Sequence, residues 1–169
     1  DFGYTRKLSD KLALGVALRY INSNLAGGQT SNGVTYKAGN AVAGDISLYH
    51  SGVTEATGGF AWGVVLSNLG SKIAYTNDVN NKDYIPANLG IGVSYTKIFD
   101  EMNSIQFAVD INKLLVPTPP LPSDPSDPTQ DSINLTKYRS YGVMQSWFKS
   151  FSDGGNEFLR SIRDPDQFL

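Results

Sequence analysis

The chain has 169 residues, enough for one ordinary domain, and its 14 Lys and Arg against 16 Asp and Glu give a formal net charge of −2. Like charges are not clustered, so the basic patch of a nucleic-acid-binding protein is missing and no nucleic-acid partner is expected. The absence of cysteine excludes a disulfide framework and any cysteine-based metal or redox centre.

No run of about 18 apolar residues occurs, so the sequence encodes no transmembrane helix. It opens on Asp1, and Phe2-Gly3-Tyr4-Thr5 already reads as a strand. A strand as short as residues 2–8 looks cut, so the sequence reads as an interior fragment of a longer chain whose signal sequence lies upstream. Alternation of period 2 then dominates as far as residue 115. Leu12, Leu14, Val16, Leu18 and Tyr20 point one way, and Ala13, Gly15, Ala17 and Arg19 the other. Ile46 and Leu48, with Asp45 and Ser47 between them, mark a further strand. Phe60, Trp62, Val64 and Leu66 alternate with Ala61, Gly63 and Val65. Leu89, Ile91, Val93 and Tyr95 alternate with Gly90, Gly92, Ser94 and Thr96. Ile105, Phe107, Val109 and Ile111 alternate with Gln106, Ala108, Asp110 and Asn112. With residues 2–8 these make about six strands.

The connections alternate as well. Residues 9–11, 55–59 and 100–103 are short and rich in turn formers. Residues 26–44, 71–84 and everything after Leu115 are long. Short turns at one end and long loops at the other are the habit of outer-membrane barrels, with the long loops outside the cell. Residues 12–20, at about 3.3 Å each and a tilt of roughly 40°, cover about 23 Å of membrane against the expected apolar band of about 25 Å. Aromatics fall where interfacial girdles belong, with Phe60, Trp62, Phe99 and Phe107 near the short turns and Tyr20, Tyr75 and Tyr84 near the long loops.

A soluble β-sandwich also alternates, but its solvent face carries Lys, Glu and Thr. Here the less apolar face is mostly Gly, Ala and Ser, and the other is Leu, Val, Ile and aromatics without a break. The expected fold is therefore all-β, an antiparallel transmembrane β-barrel. Six strands cannot close one, since about eight is the minimum, so the missing strands belong to the rest of the chain or to other copies. The small inward residues Gly15, Ala17, Gly63, Gly90 and Gly92 leave room for a plug, or allow strands to bend and pack closely.

After residue 115 the character changes, which divides the chain into transmembrane strands over 1–115 and a Pro-rich extracellular loop over 116–169. Val116-Pro117-Thr118-Pro119-Pro120-Leu121-Pro122 cannot continue a ladder and should run extended. Residues 123–130 are Ser/Asp/Pro-rich and expected to be mobile. Residues 142–163 read as short amphipathic helices broken at Gly154-Gly155. Trp147, Phe148 and Phe151 share one face of the first, and Phe158, Leu159 and Ile162 one face of the second. Pro117, Pro119, Pro120, Trp147, Phe148, Phe151, Phe158 and Leu159 are the candidate partner-binding residues, because aromatics are enriched at interfaces. A cap folded over the chain's own barrel is the competing use of this segment.

No catalytic, cofactor-binding or metal-binding residue is assigned. His50 is the single histidine, with no nucleophile arrangement around it. Asp124, Asp127 and Asp131 do not have the spacing of a calcium loop. Arg19 and Asp110 both alternate inward and are expected to pair in the lumen.

Three segments carry a family resemblance: Leu12 to Leu25; Leu66-Ser67-Asn68-Leu69-Gly70-Ser71-Lys72-Ile73 with Tyr84 to Leu89; and Asp110-Ile111-Asn112-Lys113-Leu114-Leu115-Val116-Pro117-Thr118-Pro119. Trp147 to Asp153 is similar to a further motif of the same family. The chain resembles the PorV family, outer-membrane proteins of the type IX secretion system of Bacteroidetes. The resemblance implies a FadL-like barrel of roughly fourteen strands in the full chain, embedded in outer-membrane lipid and without catalytic activity. It implies partners too: the translocon SprA (Sov), the C-terminal domains of secreted cargo, and the peptidase PorU, which attaches cargo to lipopolysaccharide. On this reading the protein receives cargo from the translocon and passes it to the surface attachment machinery. The alternative is a FadL-like channel for hydrophobic small molecules, whose pocket the proline arm and aromatic helices would line.

Overall fold

The computed structural model describes residues 1–25, 27–78, 81–120 and 128–152. Its strands are β1 (Phe2–Lys7), β2 (Leu12–Ser23), β3 (Thr30–Ser31), β4 (Val34–Thr35), β5 (Gly39–Ser51), β6 (Gly58–Gly70), β7 (Asn88–Ile98) and β8 (Ser104–Leu114), followed by helix α1 (Pro128–Ser140). Six strands form one sheet in the order β1-β2-β5-β6-β7-β8, and β3-β4 form a separate hairpin. The pairs β1/β2, β5/β6, β6/β7 and β7/β8 are antiparallel. The described chain is thus all-β apart from its C-terminal helical part. Among the described residues the sheet is open, β1 and β8 each pairing on one side, which fits an arc of a barrel.

Two of the short connections have a clear local chemical reason. Asp100 Oδ1 accepts hydrogen bonds from the backbone N–H groups of Met102 and Asn103 at 2.9 and 2.8 Å, and the Asn103 side-chain amide donates to the same carboxylate. The Asn103 side chain first, then the Met102 N–H, hold the Asp100 carboxyl below its usual range. Gly58 turns with φ of +81°, and a Cβ there would run into the backbone carbonyl of Thr96, so the position requires glycine twice over.

The register fixes two faces. Outward lie Phe2, Tyr4, Leu14, Val16 and Leu18, then Phe60, Ile91, Val93, Phe107, Val109 and Ile111, all exposed. Toward the short turns Phe60 pairs with Tyr95 and Tyr95 with Phe107, the first two rings lying 4.7 Å apart. His50 stacks on its cross-strand partner Trp62 at 5.5 Å on the same face, its Nδ1 buried and without a hydrogen bond.

Inward, Tyr49 faces Gly63, Gly63 faces Gly92 and Gly92 faces Asp110. The Asp110 carboxylate occupies the space a Gly92 side chain would need, and Ser47 Oγ does the same at Gly15. Gly15 and Gly92 therefore each receive a polar side chain of a neighbouring strand. A concavity of about 560 Å³ is lined by Ser47, Gly63, Gly92, Ser94, Asp110 and Asn112 among others.

The expected Arg19–Asp110 pair does not form. β2 and β8 stand four places apart in the sheet, about 19 Å at ~4.8 Å per strand, beyond the reach of the two side chains. Arg19 instead meets Asp1 at 3.3 Å, Asp45 at 3.2 Å and the Asn68 side chain. A break in the β5/β6 register between Gly44 and Ile46 sits beside this group. Asn68, at φ of +55°, donates its backbone N–H to Asp45 Oδ1 at 2.7 Å. Asp45 thus holds together a bulged strand, a left-handed residue and an arginine.

The chain forms two compact units. One holds Asp1–Tyr20, Val42–Gly70 and Ala87–Leu114; the other holds Ile21–Ala41, Ser71–Pro86 and Leu115–Leu169. In the parent protein, Asp45→Ala should lower stability by about 1.5–3 kcal/mol, because Arg19 loses a charged acceptor and the Asn68 amide its partner. Asp45→Asn, which keeps one acceptor oxygen, should cost less. Urea midpoints of the folded, heat-modifiable band on gels read this order; equal losses for both variants would discount the charge.

Candidate functional site

The second unit gathers the long connections, and its residues carry the side chains expected to meet other proteins. Its hairpin turns at Asn32-Gly33, with φ of +49° and +77°, the left-handed pair that a two-residue hairpin needs. Residues 71–86 fold back on themselves, the N–H of Ile73 bonding the carbonyl of Asp83 and the reverse, each at 2.9 Å. Lys37 N–H donates to the Tyr75 carbonyl at 2.8 Å, Lys37 Nζ to Asn77 at 2.8 Å and Tyr75 OH to Ser23 at 3.1 Å. Gly39 lies so close that an added Cβ would come within 2.7 Å of Ile73 Cγ1. Ile73, Ile85, Leu115 and Pro117 are buried within this unit.

Helix α1 covers residues assigned above to a mobile stretch and its sequel. Pro128 opens it, where the missing N–H costs no hydrogen bond; Asp131 stands in its first turn, and Lys137 and Arg139 in its last, as the helix dipole favours. The C-terminal carbonyls of a helix lack intrahelical donors. Here Lys72 Nζ donates to the carbonyls of Arg139 and Tyr141 at 2.7 and 2.8 Å, and Tyr84 OH to those of Tyr138 and Tyr141 at 3.0 and 2.9 Å. The Lys72 ammonium also lies 4.3 Å from the centre of the Tyr84 ring. Tyr84 meets Tyr138 edge to face at 5.5 Å, and Arg139 reaches Asp83 at 3.8 Å.

These contacts shift the titrations. Burial, then Lys82, push Lys72 down. Burial, then Tyr138 and Tyr141, push the Tyr84 phenol up to about 12. Burial, then Asp83, push Tyr138 up, with Arg139 opposing.

Residues 143–152 are helical. Their buried positions are Ser146 and Ser150, whose hydroxyls bond the carbonyls of Val143 and Trp147. Met144, Phe148 and Phe151 are turned out, the two phenylalanines 73% and 56% exposed, and Trp147 is half-buried between the two faces. Phe148 and Phe151 thus share the exposed side, with Trp147 at its margin. Of the proline candidates, Pro117 is buried, Pro120 half-buried and Pro119 exposed. Phe158 and Leu159 lie outside the described residues. Lys72, Tyr84 and the end of α1 were not foreseen; the Pro128 start signal and the basic last turn were the available clues.

Because the folded Tyr84 phenol holds its proton more tightly than the free group near 10.0, its contribution to stability is intact below pH 10. It is lost as pH rises from there to about 12. Tyr84→Phe should remove this part of the alkaline loss and delete a late-titrating component from the phenolate ultraviolet absorbance. An unchanged titration would show that Tyr84 is not held as described.

No curated protein matches the chain. The family model described as type IX secretion system protein PorV matches residues 1–121, which is every strand of the sheet and the start of the proline arm. The chain therefore belongs to the PorV family of type IX secretion system proteins.

Proposed function

We propose that this chain is part of an outer-membrane β-barrel that handles secreted proteins through its long connections, without catalysis of its own. The membrane half of the reading rests on the outward face. A buried Val, Leu, Ile or Phe side chain contributes about 1.5–3 kcal/mol relative to an exposed one. The ten or more such side chains left exposed across β1, β2, β6, β7 and β8 forgo more than the ~5–15 kcal/mol that holds a typical domain folded. Hydrocarbon is the cover that suits a continuous band of this kind, and small or polar inward residues suit a lumen.

The observation that carries the protein-handling half is the stripe Met144-Phe148-Phe151, exposed while two serines of the same helical segment are buried. An isolated segment in water would bury the aromatics instead, so this arrangement favours a partner that covers them. On this reading residues 26–44, 71–84 and 116–169 face outside the cell, in contact with the SprA (Sov) translocon and with the C-terminal domain of cargo. The cargo then passes to PorU for attachment to lipopolysaccharide. Across the middle of the sheet the inward positions are mostly Gly, Ala, Ser, Gln, Asp and Asn, with Val65 and Tyr49 the larger exceptions. Such a wall offers little to a long apolar solute, which sets the channel reading second.

The test is a detergent pull-down from native membranes with the parent protein carrying Phe148→Ser and Phe151→Ser. Both side chains are more than half exposed, and the heat-modifiable band checks that the barrel still forms. Loss of an interfacial aromatic hot spot of about 2 kcal/mol or more should weaken cargo or translocon recovery at least tenfold. Unchanged recovery with a heat-modifiable barrel would remove the stripe from the docking surface.

A further inference from the structure

Helix α1 is built from residues that do not favour a helix by themselves. Six of its 13 positions, Thr129, Asp131, Ser132, Asn134, Thr136 and Ser140, carry short polar side chains that compete with the backbone for hydrogen bonds, and it holds no alanine or glutamate. The Thr136 hydroxyl does so inside the helix, donating to the Ser132 carbonyl at 2.8 Å. Helices of this length are marginal in water even when the sequence favours them, and in folded proteins the packing of an apolar face makes up the difference. That face is missing here. None of residues 129–140 is buried, and Ile133 and Leu135 are 54% and 38% exposed.

What α1 has is a held end. Lys72 Nζ and Tyr84 OH lie within hydrogen-bond distance of the Tyr138, Arg139 and Tyr141 carbonyls, Tyr84 meets Tyr138 edge to face, and Asp83 meets Arg139. We infer that α1 is a conditional helix, formed while Lys72 and Tyr84 clamp its last turn and melted when they let go. A partner whose own carbonyl or carboxylate oxygens capture these two donors would release it. Release changes reach. Thirteen residues span about 20 Å as a helix and about 43 Å extended. Pro117 is buried in the same unit, so α1 lies on the tether between that anchor and the Phe148–Phe151 stripe. The use of the longer tether, to carry the stripe to a partner, rests on the docking proposed above; the conditional helix does not.

The test is amide hydrogen exchange, read by mass spectrometry on the parent protein in detergent, which needs no partner. In Lys72→Met/Tyr84→Phe, peptides from residues 128–140 should exchange roughly tenfold faster or more than in wild type. Peptides from residues 143–152 and from the strands should keep their rates. Adding Thr129→Ala/Thr136→Ala, at two exposed positions, should restore about fivefold to tenfold of the lost protection by raising helix propensity alone. Unchanged exchange of α1 in the clamp variant, or an α1 already unprotected in wild type, overturns the inference. So does equal loss over residues 128–152, because α1 would then melt only with its whole unit, and so does a failure of the alanine pair to restore protection. None of these results bears on partner recovery in the pull-down, so the docking reading stands or falls separately.

Discussion

The side-chain period of two in a β-strand ties the two faces of this sheet together, since a slip of one residue anywhere would send every side chain to the wrong side. The register from β5 to β8 obeys that constraint on the short-turn side of the break at Gly44–Ile46. It lines up Tyr49, Gly63, Gly92 and Asp110 inward, and Phe60, Tyr95 and Phe107 outward. Gly92 matters here because it is the space into which Asp110 folds. The one irregularity, at Gly44–Ile46, is held by Asp45 through Arg19 and the Asn68 amide. A bulge of this kind bends the strand locally while the pairing on either side continues.

The second unit is organised by a different constraint, the need to satisfy helix-end carbonyls. Lys72 and Tyr84, twelve residues apart in sequence, bring an ammonium and a hydroxyl within hydrogen-bond distance of the Tyr138, Arg139 and Tyr141 carbonyls at and just beyond the end of α1. Burial, then the neighbouring Lys82, lowers the lysine's affinity for a proton, and burial raises that of the phenol. With residues 71–86 gripping α1, the helical residues 143–152 that follow can expose aromatics and bury serines. On the function proposed above, that exposed stripe is the surface that meets other polypeptides.

The sheet was legible in the sequence because a half-covered strand writes its alternation directly into residue types. Each of the six strands was read, though β5 begins at Gly39 rather than near Asp45, since Ala41 and Ala43 give a weak apolar signal. Pairing across the sheet was less accessible. Arg19 and Asp110 share a face, but only strand order reveals the three strands between them. Helix α1 escaped because Ile133 and Leu135 are both exposed and sit two residues apart, so no apolar stripe at helical spacing marks it. The side shared by Trp147, Phe148 and Phe151 was readable from spacing, but spacing alone does not say whether a face is covered. That depended on Ser146 and Ser150 being small enough to pack closely while bonding their own helix carbonyls.

On the proposed function the Ile91, Val93 and Tyr95 side of β7 faces lipid and the Gly92, Ser94 and Thr96 side faces a lumen. The 169 residues contain no cysteine, so an introduced one is the single labelled site among them. Ile91→Cys, Val93→Cys, Ser94→Cys and Thr96→Cys would each be introduced into the parent protein, labelled with bimane and reconstituted in vesicles containing brominated lipid. Strong quenching at 91 and 93 with weak quenching at 94 and 96 is the predicted result. Equal quenching at all four positions, or at none, would contradict it.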